Sequence, residues 1–504
     1  MTLSEAAVPP DAQISTLRKY TLLILFCLAQ FLDVFNFAAI FVAIPAIAND
    51  LHIEDANTVW IVSAFQLTFA SFLLVSGRIS DIYDPKYCFV AGALILGVMS
   101  IGCGFVRVEV PLFVLRALGG IGASLTIPSA FGLIIRFFPE PNEQAIAIGA
   151  FGGSGAVGNA LGVVFSALFV QFASWHWLFW FSALMAIPIA GICFLLIPSR
   201  PDDPTRAKAS VQSLDIIGVS ILTIALVLFI FALTSGSSVG WGTARVIAPL
   251  VISILMVVGF LFWETRVPEE YASLPPQMWR IPNFGVLFGI SLTPYLWWTS
   301  TFLLITSQWQ DEFLWSPIKS GIHFLPIGIP SVFLTVLAGY LTRHVKPKHL
   351  IIAGGILLIT STGLEPFSAT DPTENRYWRF AFPAFILGTS GATLVYCGAS
   401  VAMFLITPPK YAATVGAIFN AALQLGAAVG SAIISSIQSS ITPGSNANSF
   451  TGRADGFWFL FAVVTFMTVS VAIFYRVGKT PVASAPDAAE SSTEQKRSTE
   501  DTQA

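Results

Sequence analysis

The chain has 504 residues, 55% of them hydrophobic and 11% charged, with a mean hydropathy of +0.76. Soluble globular domains carry about 25% charge, so this composition excludes that class and reads as a polytopic membrane protein. The formal net charge is −3 and no Lys/Arg-rich block interrupts the apolar runs, which leaves no electrostatic footprint for nucleic acid.

Residues 1–20 read as a polar cytoplasmic tail, because the run up to Arg18 and Lys19 contains no small-residue cleavage site. Apolar runs long enough to cross about 30 Å of hydrocarbon then predict spans near 22–47, 59–77, 88–106, 110–135, 145–172 and 177–198. They continue near 214–234, 246–263, 284–306, 321–341, 349–366, 378–406, 411–437 and 457–476, fourteen in all. An even number puts both termini on one side. With that side cytoplasmic, the inner loops hold sixteen basic residues and the outer ones six, Arg107, Arg245, Lys319, Arg376, Arg379 and Arg453, as the positive-inside rule asks.

The first span places Asp33 near the middle of an apolar segment, where a charge costs roughly 2.5–3.5 kcal/mol on insertion scales. Gln30 and Asn36, three residues to either side, would extend it into a polar stripe facing protein or a watery cavity. Asp33 is thus the single strong intramembrane acid expected of this chain, either a functional group or a pin between helices. Gln66 in the second span is a further candidate for the cavity. At the inner end of that span, Asp81 would cap the positive end of another helix, the thirteenth, and so hold an inner gate shut. The fourth span holds Arg116, the one basic residue well inside a span. Such an Arg is retained where it meets a carboxylate, binds an anion or modulates a proton site, or else it snorkels outward.

In the fifth span Gly153, Gly155 and Gly158 match the spacing of a dinucleotide-binding loop, but no strand precedes them. Gly158 and Gly162 read instead as small residues that let two helix backbones approach. Residues 236–240 fit GxSxG in an outer loop, without a strand-turn-helix elbow. The ninth span carries Pro294, Tyr295, Leu296, Trp297 and Trp298 near its centre, a kinked aromatic segment at a depth where interfacial belts do not place tryptophan. Tyr295 and Trp298 are expected in the cavity, where aromatic faces stack on planar or cationic molecules. The thirteenth span adds Asn420 and Gln424, with Gly426 and Gly430 for packing. The five cysteines and five histidines show neither CxxC nor metal-ligand spacing, so no disulfide framework, metal, cofactor or catalytic constellation is expected.

Two segments repeat. Ser76–Gly92 aligns without a gap on Ala338–Gly354, and Phe151, Gly158 and Gly162 align on Phe419, Gly426 and Gly430. The chain therefore divides into a six-helix bundle over 21–200, a linker with an inserted helix pair over 201–275, and a second six-helix bundle over 276–478. Residues 479–504 form a polar tail of disordered composition.

The motifs LDVFNFAAIFVAIP in span one, GRISDIYDPK after span two, LRALGGIGAS in span four, WHWLFW before span six and SPIKSGIHFLPIG entering span ten resemble the major facilitator superfamily. Within it they are most similar to the fourteen-spanner drug:proton antiporter branch, near the fungal aminotriazole-resistance, boron-export and low-affinity ammonium transporters. The resemblance implies an all-α carrier of fourteen helices arranged 6+2+6 and not an enzyme. It would move a small organic molecule (drug, toxin or metabolite) by alternating access, as efflux in exchange for protons. It implies proton coupling by Asp33 and Arg116 and gating by Gly77, Arg78, Asp81 and Lys86. Its partners would be the substrate, protons and the lipid bilayer, with the chain a monomer in the plasma membrane, or in the vacuolar membrane as the alternative. A uniporter or importer of ammonium or borate, and a non-transporting membrane sensor, are the other readings. The chain departs from the family pattern at Ile82, Asp84 and Pro85, where basic or glycine positions are usual. At Asn159 it lacks the proline of the antiporter motif, and His176 replaces the arginine of Trp-Arg-Trp.

Overall fold

At the depth of the hydrocarbon no water is available to backbone N–H and C=O groups, and a helix satisfies them within one segment. The computed structural model describes residues 15–54, 57–198, 215–267, 277–368, 374–407, 412–439 and 450–476, and among them there is almost only helix and no strand. The first half of the chain forms α1 (Thr16–Leu51), α2 (Val59–Ile82), α3 (Pro85–Cys103), α4 (Glu109–Phe137), α5 (Pro141–Phe172) and α6 (His176–Leu196). A pair follows, α7 (Ile216–Val239) and α8 (Ala244–Glu264). The remainder forms α9 (Phe284–Ser291), α10 (Thr293–Ser307), α11 (Pro317–His323), α12 (Leu325–His344), α13 (Pro347–Ser368), α14 (Phe382–Ile406), α15 (Ala412–Ser439) and α16 (Phe450–Phe474).

Among the described residues, twelve helices are long and apolar enough to cross a membrane, against fourteen predicted spans. The two predicted spans outside that set are the second and the ninth. The second is nonetheless one unbroken helix, α2, whose apolar stretch Val59–Leu73 stops where the side chain of Leu74 lies outside the described residues, and the ninth span is divided at Leu292 into α9 and α10. Pro294 opens α10; it has no N–H to continue the ladder of α9, which accounts for the break. Further differences are local. Ser15 caps α1 by accepting from the Arg18 N–H, so residues 16–20, read as tail, are helical. Gly236–Val239 close the last turn of α7 and are not loop. Residues 1–14 and 477–504, which hold most of both tails, lie outside the described residues.

Apolar helices in lipid gain nothing from burying oil in oil, so small residues that admit close backbone contact decide where they meet. The same contacts occur twice. A Cβ at Gly158 of α5 would lie 2.5 Å from the Phe31 carbonyl oxygen of α1, and one at Gly426 of α15 would run into the Leu292 carbonyl at the head of α10. One turn on, Gly162 faces Phe35 and Ala39, and Gly430 faces Leu296 and Ser300. Likewise a Cβ at Gly92 of α3 would lie 2.6 Å from the Gly122 carbonyl oxygen of α4, and one at Gly354 of α13 would lie 2.7 Å from that of Gly391 in α14. The pair α7–α8 attaches through α7, which packs on α2 and α15. Trp263 of α8 donates its indole N–H to Asp215, the cap of α7, at 2.7 Å.

Contacts between the first six helices and the helices after α8 gather toward the end of the molecule where α1 and α5 finish. There Gly321 of α11 meets Ala167, Gly328 of α12 meets Ala160, Gln310 donates to the Val42 carbonyl at 3.1 Å, and Phe41 packs on Phe302.

Gly426→Ala therefore forces a methyl group into the α10 backbone and is expected to destabilise by about 1–3 kcal/mol, the usual range for overpacking. Gly149→Ala, where a Cβ meets nothing within 4 Å, is expected to be neutral or slightly stabilising. Thermal unfolding of the purified protein followed by tryptophan fluorescence separates the two; equal midpoints would show that the glycine contact is not limiting.

Candidate functional site

Between the helices lies a cavity of about 290 Å³, lined by residues of α1, α2, α4, α5, α10, α12, α14 and α15. Asp33 of α1 reaches it with only 6% of its surface exposed. Thr126 of α4 donates its hydroxyl to Asp33 Oδ2 at 2.7 Å, and Oδ1 has no partner among the described residues. Gln30 lies one helical turn earlier, and the missing side chain of Gly155 gives it room, since a Cβ there would stand 3.1 Å from Gln30 Nε2. Gln66 of α2 also lines the cavity, and neither of its amide atoms finds a hydrogen-bond partner among the described residues. Asn420 and Gln424 of α15 complete the polar lining that was expected.

Much of the rest of the wall is aromatic, with aliphatic and hydroxyl side chains between the rings. Phe37 stacks on Trp298 with centroids 4.8 Å apart and planes 22° from parallel, and Tyr295 lies parallel to Phe37 at 6.5 Å. Phe65, Phe69, Phe131, Phe151 and Tyr396 extend the surface. One carboxylate and several amides set among ring faces make a site for an amphipathic molecule that carries a positive or hydrogen-bonding group.

Other expectations are placed differently. Asn36 is absent from the cavity wall: Ser182 of α6 donates to its Oδ1 at 3.1 Å, and its Nδ2 donates to the Leu32 carbonyl at 2.9 Å. A residue three positions on is rotated by about 300° around the helix, so Gln30 and Asn36 flank Asp33 on opposite sides and the cavity takes only the Gln30 flank. Arg116 does not meet Asp33. It is 3% exposed, with its guanidinium 5.5 Å from the Phe65 ring and 5.7 Å from the Phe179 ring. Its Nε and Nη2 find no hydrogen-bond acceptor among the described residues.

At the proposed gate, Gly77 faces Pro128 at 3.9 Å, while the side chains of Arg78 and Asp81 lie outside the described residues. Lys86 is buried, its ammonium 5.0 Å from the Phe194 ring. Asp84 caps α3 by accepting from the Lys86 N–H at 3.1 Å and faces Arg136 of α4 at 3.9 Å. An ion pair between Lys19 and Glu143 ties the start of α1 to the start of α5.

Two residues were missed. Asn159 lines the cavity with a buried Oδ1 that has no protein partner; its signal was the departure from the proline motif, read only as a lost kink. Glu365 of α13 is 0% exposed and accepts from Trp297 Nε1 at 3.2 Å, from Thr301 Oγ1 at 3.2 Å and from Ser361 Oγ at 3.3 Å. Asp33 is therefore not the single buried acid of the membrane region. Glu365 stands near the end of the predicted span 349–366, and its signal is an acid within an apolar run.

The family profile of the Major Facilitator Superfamily matches residues 26–431. The puromycin resistance protein pur8 of Streptomyces alboniger is 29% identical over 439 residues, which cover 87% of this chain and 85% of that protein. The multidrug transporter mfsC of Aspergillus fumigatus is 24% identical over 462 residues, 89% of this chain and 86% of the relative. The low affinity ammonium transporter of Saccharomyces cerevisiae is 25% identical over 451 residues, 88% and 86% of the two chains. A crystal structure of a POT family transporter superimposes with a TM-score of 0.64 at 14% identity, over 90% of this chain and 96% of that one. This likeness shows a shared fold.

Because the Gln66 amide is bonded to no group among the described residues, Gln66→Leu removes none of their hydrogen bonds that support the fold. The variant is expected to unfold at the same temperature or higher while transporting less. A fall of several degrees would mean that the amide is structural.

Proposed function

We propose that this chain, which belongs to the Major Facilitator Superfamily and is a secondary transporter and not an enzyme, exports a small amphipathic organic molecule in exchange for protons. The observation that carries this reading is Asp33, a carboxyl group that opens into a cavity whose wall is otherwise uncharged and rich in aromatic rings and amides. An acid there has two competing ligands, a proton and the positive or donor group of a substrate, and competition for one carboxyl group is sufficient to couple them. The relatives named for puromycin resistance and multidrug transport support the export direction.

In this reading residues 21–200 and 276–478 rock about the cavity, as carriers built from two repeated bundles do, and 201–275 is an inserted pair. Both termini are cytoplasmic and the membrane is the plasma membrane. The contacts between the two bundles then close the outer end, and the cavity is approached from the cytoplasm. Gly77, Arg78, Asp81 and Lys86 form the inner gate. Asp84, paired with Arg136, supplies a charged contact on that side. Arg116, set between two rings, acts on Asp33 through the field of α4 and not by contact. The protein works as a monomer.

A second reading is favoured by one observation, the likeness to the yeast ammonium transporter: a small cation taken up at Asp33 without an exchanged proton. Reconstituted vesicles separate the two. With an imposed pH gradient, puromycin accumulation is expected in the wild type. Asp33→Asn is expected to abolish that accumulation and to retain puromycin exchange at zero gradient at weakened affinity, since exchange moves no net proton but the substrate loses one of its partners. Full gradient-driven accumulation by Asp33→Asn, or accumulation of methylammonium and not puromycin by the wild type, would sink the exporter reading.

The orientation is tested separately. In intact cells a single cysteine at Gly242 is expected to react with an impermeant maleimide and one at Lys346 to be protected; the reverse pattern would invert the topology.

A further inference from the structure

We propose that Glu365 is a second proton-binding site of the carrier, reached from the cavity through Trp297. Glu365 lies near the end of α13, fully buried, and its carboxyl group is held by three side chains: Trp297 and Thr301 of α10, and Ser361 one turn earlier on its own helix. None of these partners carries a charge, and with no cation beside it among the described residues a carboxylate at such depth is costly. Charged and titratable groups on the elements around it bond elsewhere or lie apart. Arg376 and Arg379 sit against the Phe380 ring, Tyr295 and Tyr396 face the cavity, Asp455 is exposed at the start of α16, and α12 carries its titratable residues at its far end.

The shell suits both protonation states. A serine or threonine hydroxyl donates to a carboxylate and, turned about its C–O bond, accepts from a carboxylic acid. Thr301 reaches both carboxyl oxygens, at 3.2 and 3.3 Å. Trp297 differs from the hydroxyls because its indole only donates, and because the residue is also one of those that border the cavity, although its side chain is fully buried. Trp297 is therefore the residue shared by the shell of the carboxyl group and the border of the substrate chamber. The sequence keeps room for it: a Cβ at Gly388 of α14 would collide with the six-membered ring of Trp297 and stand 2.6 Å from Ser361 Oγ. When the indole moves aside, the carboxyl group passes its proton to water in the cavity and Thr301 and Ser361 turn to donate; the reverse motion returns the proton and seals the site. A purely architectural Glu365, tying α10 to α13, makes the same hydrogen bonds but does not titrate.

This inference rests on the assignment as a carrier and is independent of the role given to Asp33. It is tested on the full chain in lipid nanodiscs, with no substrate, by following the carboxylic acid C=O stretch in the infrared as pH is varied. A titrating band that survives in Asp33→Asn and disappears in Glu365→Gln is expected. Trp297→Phe, which deletes one donor to the carboxyl group, is expected to move both the frequency and the pH midpoint of that band. The proposal is overturned if Glu365→Gln removes no band, or removes one that is unchanged at every pH at which the protein is folded. Should Glu365→Gln not fold, the Asp33→Asn/Trp297→Phe double variant decides: a displaced midpoint relative to Asp33→Asn supports the site, and an unmoved one refutes it. Loss of the Asp33 band alone would bear on the exporter reading and not on this one.

Discussion

The approach of α5 to α1, and of α15 to α10, at glycine is the contact on which the other features depend. In hydrocarbon, a helix has no solvent-driven reason to prefer a neighbouring helix over a lipid tail, so association rests on how closely two backbones can lie. Gly158 and Gly426 have no side chain where any atom would strike a carbonyl oxygen of the partner helix. That closeness has a second effect. Gly155, on the same face of α5 as Gly158, leaves space into which Gln30 turns, so one run of small residues both binds the helices and shapes the wall of the cavity.

The second constraint is the cost of polar groups away from water. The chain meets it in two ways. Asp33, Gln30, Gln66 and Asn159 face the cavity and keep hydrogen-bonding capacity that protein does not consume. Asn36 and Glu365, by contrast, are turned into helix contacts and satisfied there by hydroxyl or indole donors. Arg116 follows neither route completely, lying between the rings of Phe65 and Phe179, where the ring quadrupoles replace part of its lost hydration. Groups of the first kind are available to a ligand in the cavity; those of the second kind bond one helix to another.

Positions that depart from the family pattern have local physical uses. Asp84 stands where a basic or glycine residue is usual, and it both caps α3 and faces Arg136. Its negative charge therefore does not weaken the start of α3 but supplies a contact to α4. Asn159 takes the place of a proline in a helix that runs unbroken from Pro141 to Phe172, exchanging a kink for an amide in the cavity wall.

The helices themselves were legible from the amino acids, because hydropathy over about twenty residues reflects the thickness of a bilayer and needs no knowledge of neighbours. So were the glycine pairs, whose spacing of four repeats in both halves, and the presence of Asp33, Gln30, Tyr295 and Trp298 in the cavity. Three matters were not legible. The break of the ninth span at Leu292 depends on how α9 and α10 pack around Pro294. The direction of Asn36 depends on which flank of α1 meets α6. The enclosure of Glu365 depends on α10 and α14, more than twenty residues away in the chain on one side and on the other, and on Gly388 admitting the Trp297 ring. Sequence alone therefore determined which residues are too costly to leave in lipid, a property each carries by itself; the tertiary structure decided which of them face a cavity and which face a partner, because that depends on groups that only folding brings together.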